Sequence, residues 1–453
     1  MSAIQHFVET VANFVWGLPM LFILVGGGIF LTIRLGFFQF VKFPYICKQT
    51  FGKMFKKTEG EGTVSAFGAA CAALASSIGA ANIVGVPTAI AIGGPGAVFW
   101  MWLVALVGCA TKFSEVSLGV KYREKNEIGE YVGGPAYYLR HAFPGKVGHF
   151  IAAFATFSLM IEIVPSIATQ SLSVCSTASE LGIPKIASAV VMLAITMLVV
   201  CGGIKRIAQI TEKMVPIMAV VYSVSVLVIL GFHFAEIPQA FALIFEGAFT
   251  GTAAVGGFTG STLAACIRWG AARGCYSNEA GMGTAPYAHA TATTDHPARQ
   301  GFWGVFEVFC DTIIVCSLTA LMVLVTGVWN HSEITPDQMP VKAFVEVFGH
   351  GLGGVLLSVS ILLFVLSTIL VLVFYCEKNA EALFGRKFSL VMRFICFAAI
   401  IYGAFADVSQ LYAWLDFLLM LMIIPNMIGL CILSGEVKEM KDDFFNNKEL
   451  VNK

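Results

Sequence analysis

The sequence predicts an all-α polytopic membrane protein, and three observations support this fold class. Hydrophobic residues make up 57% of the 453-residue chain and charged residues only 12%, a much smaller charged share than soluble domains carry. Apolar runs of roughly 18 or more residues recur along the chain, and each is long enough to cross the hydrocarbon core of a bilayer. These runs are continuous and do not alternate with polar residues, which excludes a transmembrane β-barrel.

Eleven transmembrane helices are predicted from these runs. Their approximate boundaries are 12–33, 64–92, 97–119, 147–171, 186–203, 213–233, 246–268, 300–328, 352–375, 389–405 and 410–433. The first run has no basic segment before it and is long enough to span a bilayer. We therefore interpret it as a retained helix and not as a cleaved signal peptide.

The basic residues predict the orientation of these helices in the cell membrane. Of the 28 Lys and Arg residues, all but Lys185 and Lys342 fall in alternate loops, beginning with the loop after the first span and ending with the C-terminal tail. This set includes Lys112, which we count with the loop that follows the third span. Because cytoplasmic loops are enriched in basic residues, the N-terminus is predicted outside and the tail in the cytoplasm.

The second predicted span contains residues that interrupt a helix. Its sequence SSIGAANIVGVPTAIAIGGPG (76–96) places Gly79, Asn82, Gly85 and Pro87 near the middle of the membrane. Proline has no backbone N–H, so the carbonyl of Ile83 loses its helical partner. Lipid cannot satisfy such a carbonyl, and the interruption must therefore face protein or a polar cavity.

A second glycine-rich stretch, GTAAVGGFTGST (251–262), lies in the span five helices later, which enters the membrane from the opposite side. Two interrupted helices in this relation are typical of secondary transporters built from inverted repeats. The predicted organisation is an N-terminal helix and linker (1–57), a first repeat of helices 2–6 (58–233), a second repeat of helices 7–11 (234–435) and a cytoplasmic tail (436–453). The alternative is that the glycines only allow close helix packing.

Several longer motifs carry a resemblance to a known family. They are GGPGAVFWMWLVALVG (93–108), GGPAYYL (133–139), GGIKRIAQITEKMVP (202–216), ARGCYSNEAGMGTAPYAHA (272–290), TDHPARQGFWGVFEVFCDT (294–312) and STIL (367–370). With these motifs the sequence resembles the alanine or glycine:cation symporters, also called sodium:alanine symporters. The resemblance implies the leucine-transporter fold, with ten core helices in two inverted halves, and sodium-driven transport of small neutral amino acids.

The resemblance also implies a substrate site at the two interruptions. Backbone N–H groups at the helix 2 interruption would hold the substrate carboxylate, and helix 7 would form the opposite wall. The implied substrate-binding residues are Gly79, Ala80, Ala81, Asn82, Gln170, Gly256, Gly257, Phe258 and Thr368. For Gln170 the alternative is a structural hydrogen bond between helices.

A sodium site is implied between helix 2 and helix 9. Its ligands would be the carbonyl oxygens of Ala75, Ile78 and Phe364 and the hydroxyl groups of Ser367 and Thr368. Hard oxygen ligands suit such a cation without a buried carboxylate. The alternative is that the two hydroxyl groups only bond to upstream carbonyls of their own helix.

The chain departs from the family pattern at two places close to these sites. Family members usually have G-T-G-N where this chain has Gly-Ala-Ala-Asn at 79–82, and they usually continue from STIL into Gly-Trp where this chain has Val371 and Leu372. These differences reshape the expected pocket. Alanine and glycine are therefore expected as default substrates only.

Intramembrane carboxylates form a further group of candidates. Glu307 and Asp311 are four residues apart and therefore lie on one face of helix 8. They could form a second site for a cation or a proton. The alternative is that they accept hydrogen bonds from exposed backbone groups or from SNEAG (277–281). Glu162 and Asp416 are weaker candidates. We expect SNEAG to follow helix 7 at the cytoplasmic side as a cap and gate element.

The leading hypothesis is thus a sodium-coupled symporter in which sodium and a small neutral amino acid are transported together across the lipid bilayer. Proton coupling or exchange through Glu307 and Asp311 is the alternative within transport. An intramembrane enzyme is disfavoured because the eight histidines lie mostly in loops or near helix ends, and a passive channel because two interrupted helices suit a closed binding site. The net charge of zero gives no indication of a nucleic-acid-binding face. The 12 cysteines do not follow a metal-binding pattern. A monomeric protein is compatible with the sequence.

Overall fold

The computed structural model describes residues 3–56, 59–180, 182–250, 262–331, 333–406 and 408–452. These residues are predominantly helical. The strands described are Glu124–Lys125 and Tyr131–Val132, which form an antiparallel hairpin.

The α-helices are numbered in chain order. They are α1 Ala3–Val15, α2 Leu18–Leu21, α3 Gly27–Arg34, α4 Phe38–Val41, α5 Phe43–Gln49, α6 Ala66–Ser77, α7 Val86–Gly93, α8 Ala97–Lys121, α9 Pro135–Ala142, α10 Gly145–Glu180, α11 Lys185–Val200, α12 Gly203–Phe232, α13 Ile237–Thr250, α14 Leu263–Asn278, α15 Ala285–His289, α16 Pro297–Val308, α17 Ser317–Val325, α18 Met339–Phe384, α19 Arg386–Gly403, α20 Val408–Ile432, α21 Ser434–Asn446 and α22 Lys448–Asn452. Segments of π-helix lie at Phe22–Gly26, Ala81–Gly85 and Phe309–Cys316.

Among the described residues, six helical segments are long and apolar enough to cross a membrane, and a seventh results if the bent pair α6 and α7 is one span. The longest, α18, contains a change of direction at Gly349, whose φ of 76° and ψ of 165° are not helical. The segments α2–α3 and α11 are apolar but shorter. These helices support a multi-pass membrane protein.

The bend between α6 and α7 follows from local sequence. The Ser65 side chain caps the start of α6 by accepting a hydrogen bond from the Gly68 N–H at 2.9 Å. The helix stops at Ser77, Ile78 is extended (φ −77°, ψ 90°), and Pro87 lies in the first turn of α7. Pro87 thus lies inside the second arm of the bent pair, Ala81–Gly93, directly after its π-helical turn, and its missing N–H removes one helical hydrogen bond there. The two axes differ by 45°, within the stretch where the sequence predicts an interruption.

The helix opposite this bend lies later in the chain than predicted. Residues 251–261, including Gly256, Gly257 and Phe258, lie outside the described residues. Helix α14 begins at Leu263 and ends at Asn278. At Trp269 it packs closely against Gly93, the last residue of α7. It is followed by a buried segment, 279–284, in which Glu279 (φ 56°), Gly281 (φ 94°) and Gly283 (φ 77°) are left-handed. Among the described residues, segment 279–284 is thus a buried interruption that contacts helix 2, through Glu279 and Ser76. SNEAG ends α14 with Glu279 as its C-cap, as predicted, but it is buried, and its role as a gate stays a prediction.

Small residues bring the central helices close together. A side chain at Gly270 would lie 2.3 Å from the Ala97 carbonyl oxygen on α8, and one at Gly304 would lie 3.0 Å from the Lys112 carbonyl oxygen on the same helix. Helix α8 is thus packed between α14 and α16. Such close packing is the usual means of stabilising helix contacts in lipid.

The final two helices pack against the rest of the protein instead of forming a free tail. The Phe444 ring is fully buried and lies 5.1 Å from that of Phe302 in α16. Arg299 donates a hydrogen bond to the Leu450 carbonyl at 2.9 Å. Burial lowers the pKa of His296, opposed by its contact with Asp443, so this histidine is held neutral to a lower pH than usual.

Candidate functional site

The interruption after α6 presents two backbone N–H groups that bond to side chains instead of to helix carbonyls. The Gly79 N–H donates to Asn82 Oδ1 at 2.9 Å, and the Ala80 N–H donates to Gln170 Oε1 at 3.1 Å. Ala81 begins the π-helical segment that follows. The structure therefore brings four of the predicted substrate residues together with Gln170, which reaches them from α10.

Gly79 lies where a side chain would not fit. A Cβ atom at this position would be 2.7 Å from Thr368 Oγ1 and 3.2 Å from both terminal atoms of the Gln170 amide. The first distance is shorter than real Cβ contacts allow. Glycine thus lets the backbone of the interruption approach α10 and α18 at the same point.

The Thr368 hydroxyl joins the two helices of the predicted sodium site. Its oxygen lies 2.9 Å from the Ala75 carbonyl, 3.4 Å from the Ile78 carbonyl and 2.9 Å from the Phe364 carbonyl. The Ser367 hydroxyl donates to the same Phe364 carbonyl at 2.8 Å. All five predicted ligand residues therefore meet here. The bonds to Ala75 and Ile78 cross between helices, so Thr368 does more than satisfy a carbonyl of its own helix.

Asp311 lies beside the same interruption. Its carboxylate accepts hydrogen bonds from Asn82 Nδ2 (2.7 Å), Ser277 Oγ (2.7 Å) and Thr312 Oγ1 (2.8 Å). Because Asn82 Nδ2 faces this carboxylate, Asn82 Oδ1 is turned toward the Gly79 N–H. Asp311 is in this way connected to the backbone of the predicted substrate site.

Glu307 has a different set of partners. Its Oε1 lies 2.5 Å from His289 Nε2, while Oε2 is buried without a partner among the described residues. Gln300 Nε2 contacts both His289 Nδ1 and the Ala66 carbonyl oxygen. Because a carbonyl oxygen can only accept, the Gln300 atom in this contact is the NH₂ donor. Gln300 therefore donates to Nδ1, and His289 carries its proton on Nε2 and donates to Glu307. The two carboxylates, predicted as one pair, thus belong to two hydrogen-bond networks.

The SNEAG segment contributes side chains to the interruption. Ser277 contacts Asn82 at 3.0 Å, and Glu279 Oε2 accepts from Ser76 at 3.2 Å and from Thr284 at 2.5 Å. Ser277 and Glu279 are buried. The sequence analysis placed the whole segment beyond helix 7 because it took that helix to end near residue 268, whereas α14 continues to Asn278. The left-handed glycines at 281 and 283 were the signal that could have located it.

Lys112 is a second residue that sequence reasoning misplaced. It is fully buried in the middle of α8, and its Nζ donates to the Asn278 carbonyl at the end of α14 at 3.0 Å. A cation at a helix C-terminus is favourable because carbonyl dipoles point toward it. A lysine inside an otherwise apolar run was the available signal, and counting it with a loop concealed it.

The remaining carboxylate candidates lie elsewhere. Glu162 is buried in α10. The carboxylate of Asp416 lies 3.7 Å from the Arg273 guanidinium, and its backbone carbonyl accepts from the Trp16 indole at 2.7 Å. Within the described ranges no group of three or more His, Cys, Asp or Glu side chains is placed to hold a metal ion. The oxygens near Thr368 are carbonyls and hydroxyls, which suit an alkali cation as transported substrate.

Comparison with known proteins gives the family. The chain matches the sodium:alanine symporter family over residues 1–453. The chain belongs to the sodium:alanine symporter family. It is 47% identical over 453 residues to the Bacillus subtilis strain 168 protein named uncharacterized transporter YflA, covering 99% of this chain and 95% of that one. It is 40% identical over 442 residues to the sodium/alanine symporter AgcS of Methanococcus maripaludis, covering 95% of each chain.

Solved structures give the fold of this family member. The chain is similar to a Na⁺-coupled sialic acid symporter in its substrate-bound outward-open state, with a TM-score of 0.52, 14% identity, and coverage of 92% of this chain and 86% of that one. The likeness shows the fold, a helical transporter architecture like that of the leucine transporter. This sodium:alanine symporter family member is thus a multi-pass amino acid:cation symporter.

Proposed function

We propose that this protein imports a small neutral amino acid, such as alanine or glycine, together with sodium, by alternating access. The single observation that carries the proposal is the position of the Thr368 hydroxyl, which contacts carbonyls of the interrupted helix 2 and closely approaches Gly79. One interruption thereby supplies oxygen ligands for a cation and N–H groups for a carboxylate. The proposed architecture has eleven spans, with helices 2–6 and 7–11 as inverted repeats, the N-terminus outside and the C-terminus in the cytoplasm.

The proposed carboxylate site uses the N–H groups of Gly79 and Ala80. A substrate carboxylate would replace Asn82 Oδ1 and Gln170 Oε1 as the acceptor of these two N–H groups. The start of the following helical segment adds partial positive charge at this place. Ala81 lines the same turn, and the two amide side chains remain close enough to bond to the bound substrate.

The proposed sodium site uses the carbonyls of Ala75, Ile78 and Phe364 and the hydroxyls of Ser367 and Thr368. Both helices must stay together for these ligands to converge, so a bound cation stabilises the state in which the substrate N–H groups are also in place. This shared dependence couples the two substrates. Thr368 contributes to both sites because it lies between the cation ligands and Gly79.

The proposed wall formed by Gly256, Gly257 and Phe258 lies outside the described residues and is kept as a proposal. Within the described residues, Ser277, Asp311 and the Cys316 thiol contact helix 2 at Asn82. They extend the proposed substrate site on the helix 7 and helix 8 side.

A second cation or a proton is the alternative way to drive transport, and two observations favour separate roles for the predicted carboxylates. Asp311 is an acceptor for three polar groups and lies beside the substrate N–H groups, which suits a second sodium ion. Glu307 has one buried oxygen without a partner among the described residues and a histidine on the other, which suits a proton. Lys112 is a fully buried ammonium that bonds to the carbonyl of Asn278, whose side chain contacts Thr312 next to Asp311.

Uptake into liposomes tests the main proposal. Purified protein is reconstituted, and radiolabelled alanine, glycine and glutamine are each supplied with an inward sodium gradient or with choline replacing sodium. We expect concentrative uptake of alanine or glycine only with sodium. Equal uptake in choline at every pH would contradict sodium coupling, and glutamine as the preferred substrate would contradict the small cargo.

The proton alternative needs a separate measurement. A pH-sensitive dye trapped in the liposomes reports proton movement during uptake, with Glu307→Gln and Asp311→Asn as the variants. Sodium coupling alone predicts no internal acidification in any of the three proteins. Acidification that is lost in Glu307→Gln and kept in Asp311→Asn would instead establish proton coupling at Glu307.

A further inference from the structure

Segment 279–284 requires support from outside its own backbone. It is buried, it leaves the helical conformation at three positions, and buried backbone N–H and C=O groups must find partners. The Gly281 carbonyl accepts from Asn426 Nδ2 at 2.8 Å, and the Gly283 N–H donates to Glu115 Oε1 at 2.8 Å. Both partners are side chains from other helices.

These contacts form one polar cluster that joins four parts of the fold. Asn426 on α20 also donates to Glu115 Oε1 at 2.7 Å, and its Oδ1 accepts from the Tyr138 hydroxyl on α9 at 2.6 Å. We call Asn426, Glu115 and Tyr138 the support cluster. Each of the three side chains is at most 1% exposed.

The support cluster is specific for an asparagine at its centre. Asn426 uses its amide nitrogen as a donor to two acceptors and its oxygen as an acceptor for a hydroxyl. An aspartate would place negative charge against Glu115 and the Gly281 carbonyl, and an alanine would leave that carbonyl without a partner, which is costly in a buried place. In the sequence Asn426 follows Pro425 and is a polar residue within an apolar run. Polar residues in membrane spans usually face other parts of the protein and not lipid.

The opposite side of the same stretch forms the proposed transport site. Ser277 contacts Asn82, and Glu279 contacts Ser76, both on the interrupted helix 2. Segment 279–284 and the residues just before it therefore lie between helix 2 and the support cluster. A change at Asn426 would reach these residues through the Gly281 carbonyl, although Asn426 itself touches neither proposed ligand site in the described contacts.

We propose that Asn426 is a positioning residue for transport, which holds segment 279–284 against the interruption of helix 2 through Glu115 and Tyr138. The proposal rests on the proposed function for its transport readout. It adds α9 and α20 to the elements that determine substrate and sodium affinity. Substitutions in the support cluster are expected to change these affinities more than they change folding.

The experiment compares Asn426→Ala and Asn426→Asp with a matched control, Asn379→Ala. Asn379 is equally buried, in α18, and its Oδ1 accepts from the Tyr287 hydroxyl at 2.7 Å, but segment 279–284 is not among its described partners. We expect both Asn426 variants to raise the KM for the amino acid by about tenfold or more, the effect of losing a buried hydrogen bond at a site. Asn379→Ala should leave the KM within about twofold of wild type at a similar loss of thermal stability.

A second measurement does not depend on the transported substrate. Hydrogen exchange of the peptide that covers 279–284 should become faster in Asn426→Ala and stay near wild type in Asn379→Ala. Glu115→Gln keeps an acceptor for the Gly283 N–H and should keep slow exchange, whereas Glu115→Ala should lose it. If the wild-type protein showed no sodium-driven uptake, that result would count against the proposed function. The hydrogen-exchange measurement would still test the role of Asn426.

Two results would overturn the positioning role. One is unchanged exchange in folded Asn426→Ala, which would show that the segment holds its place without the cluster. The other is an equal KM increase and equally fast exchange in Asn379→Ala, which would show only a general effect of a core defect.

Discussion

The hydroxyl oxygen of Thr368 lies 2.9 Å from the carbonyl oxygen of Ala75, across the contact between α18 and the end of α6. The carbonyl oxygens of Ile78 and Phe364 lie beside the same hydroxyl, at 3.4 Å and 2.9 Å, so four oxygen atoms meet at this place. Because α6 stops at Ser77, its last carbonyls have no helical partner and are available to a cation. The interruption of the helix thus supplies the Ala75 and Ile78 oxygens of the proposed sodium site, and α18 supplies its other oxygens.

Thr368→Val tests this relationship, since valine keeps the shape of threonine and removes its oxygen. We expect the sodium concentration for half-maximal uptake to rise by about tenfold or more, because one hard ligand is lost. Ser367→Ala together with Thr368→Ala should weaken sodium dependence further. Uptake at varied external sodium measures both effects.

Ser360→Ala is the matched control for these variants. Ser360 is a buried hydroxyl on the same helix, and it donates to the Leu356 carbonyl of its own helix at 2.8 Å. Its loss should leave sodium dependence unchanged. The sodium site at Thr368 would have to be abandoned if Thr368→Val kept wild-type sodium affinity.

Gly79→Ala is expected to abolish measurable uptake while the protein remains folded. The added methyl would lie 2.7 Å from Thr368 Oγ1 and would push apart the cation and substrate groups. Gly85→Ala, in the same span, would meet no atom closer than 3.7 Å and should be tolerated. Uptake and size-exclusion profiles of both variants check the prediction, and an active Gly79→Ala protein would contradict it.

Lys112→Met should destabilise the protein strongly. The ammonium is fully buried and bonds to the end of α14, near the carboxylates of Glu115, Glu279 and Asp311. Removing a buried charge that has opposite charges around it costs about 3–5 kcal/mol. Thermal unfolding of the purified protein in detergent measures the loss.

Lys121→Met provides the comparison on the same helix. Lys121 is partly exposed and pairs with Glu436 at 2.5 Å, and such surface pairs contribute about 0–1 kcal/mol. A small change in this variant and a large one in Lys112→Met is the expected result. Equal changes would argue against a special role for the buried ammonium.

Phe444→Ala should loosen the packing of α21 against the rest of the protein. The ring is fully buried among aromatic side chains, and replacing such a residue by alanine costs about 3–5 kcal/mol. Phe55→Ala, at a ring that is 88% exposed, should be nearly silent. Limited proteolysis near residue 434 should become faster only in Phe444→Ala, and equal rates would refute the packing role.

Sequence reasoning located the helix 2 interruption because its cause is local. Gly79 lies where α6 has stopped, directly after the extended Ile78, and glycine weakens a helix through its backbone freedom. The five residues that the family resemblance implied as sodium ligands also meet in the structure. Whether they hold sodium stays a prediction.

The parts that sequence reasoning missed depend on tertiary contacts. Glu279 adopts a left-handed conformation that its residue type does not favour, and Ser76 and Thr284 hold its carboxylate there. Lys112 is buried because α14 ends beside it. The sequence carries a signal for each, the glycines at 281 and 283 and a lysine within an apolar run, but the contact partners come from other helices.

The π-helical segment Phe309–Cys316 has a consequence for comparing and engineering such sequences. It accommodates an additional residue relative to an α-helix, and successive residues in an α-helix are about 100° apart around the axis. Deleting one residue there would let the segment become α-helical while α17 keeps its orientation, so that Ser317 still faces Trp102 and Thr319 still faces Tyr222, which they now contact at 2.8 Å and 2.7 Å. A single-residue gap in an alignment at this place therefore signifies loss of the extra π-helical residue and not a rotated α17.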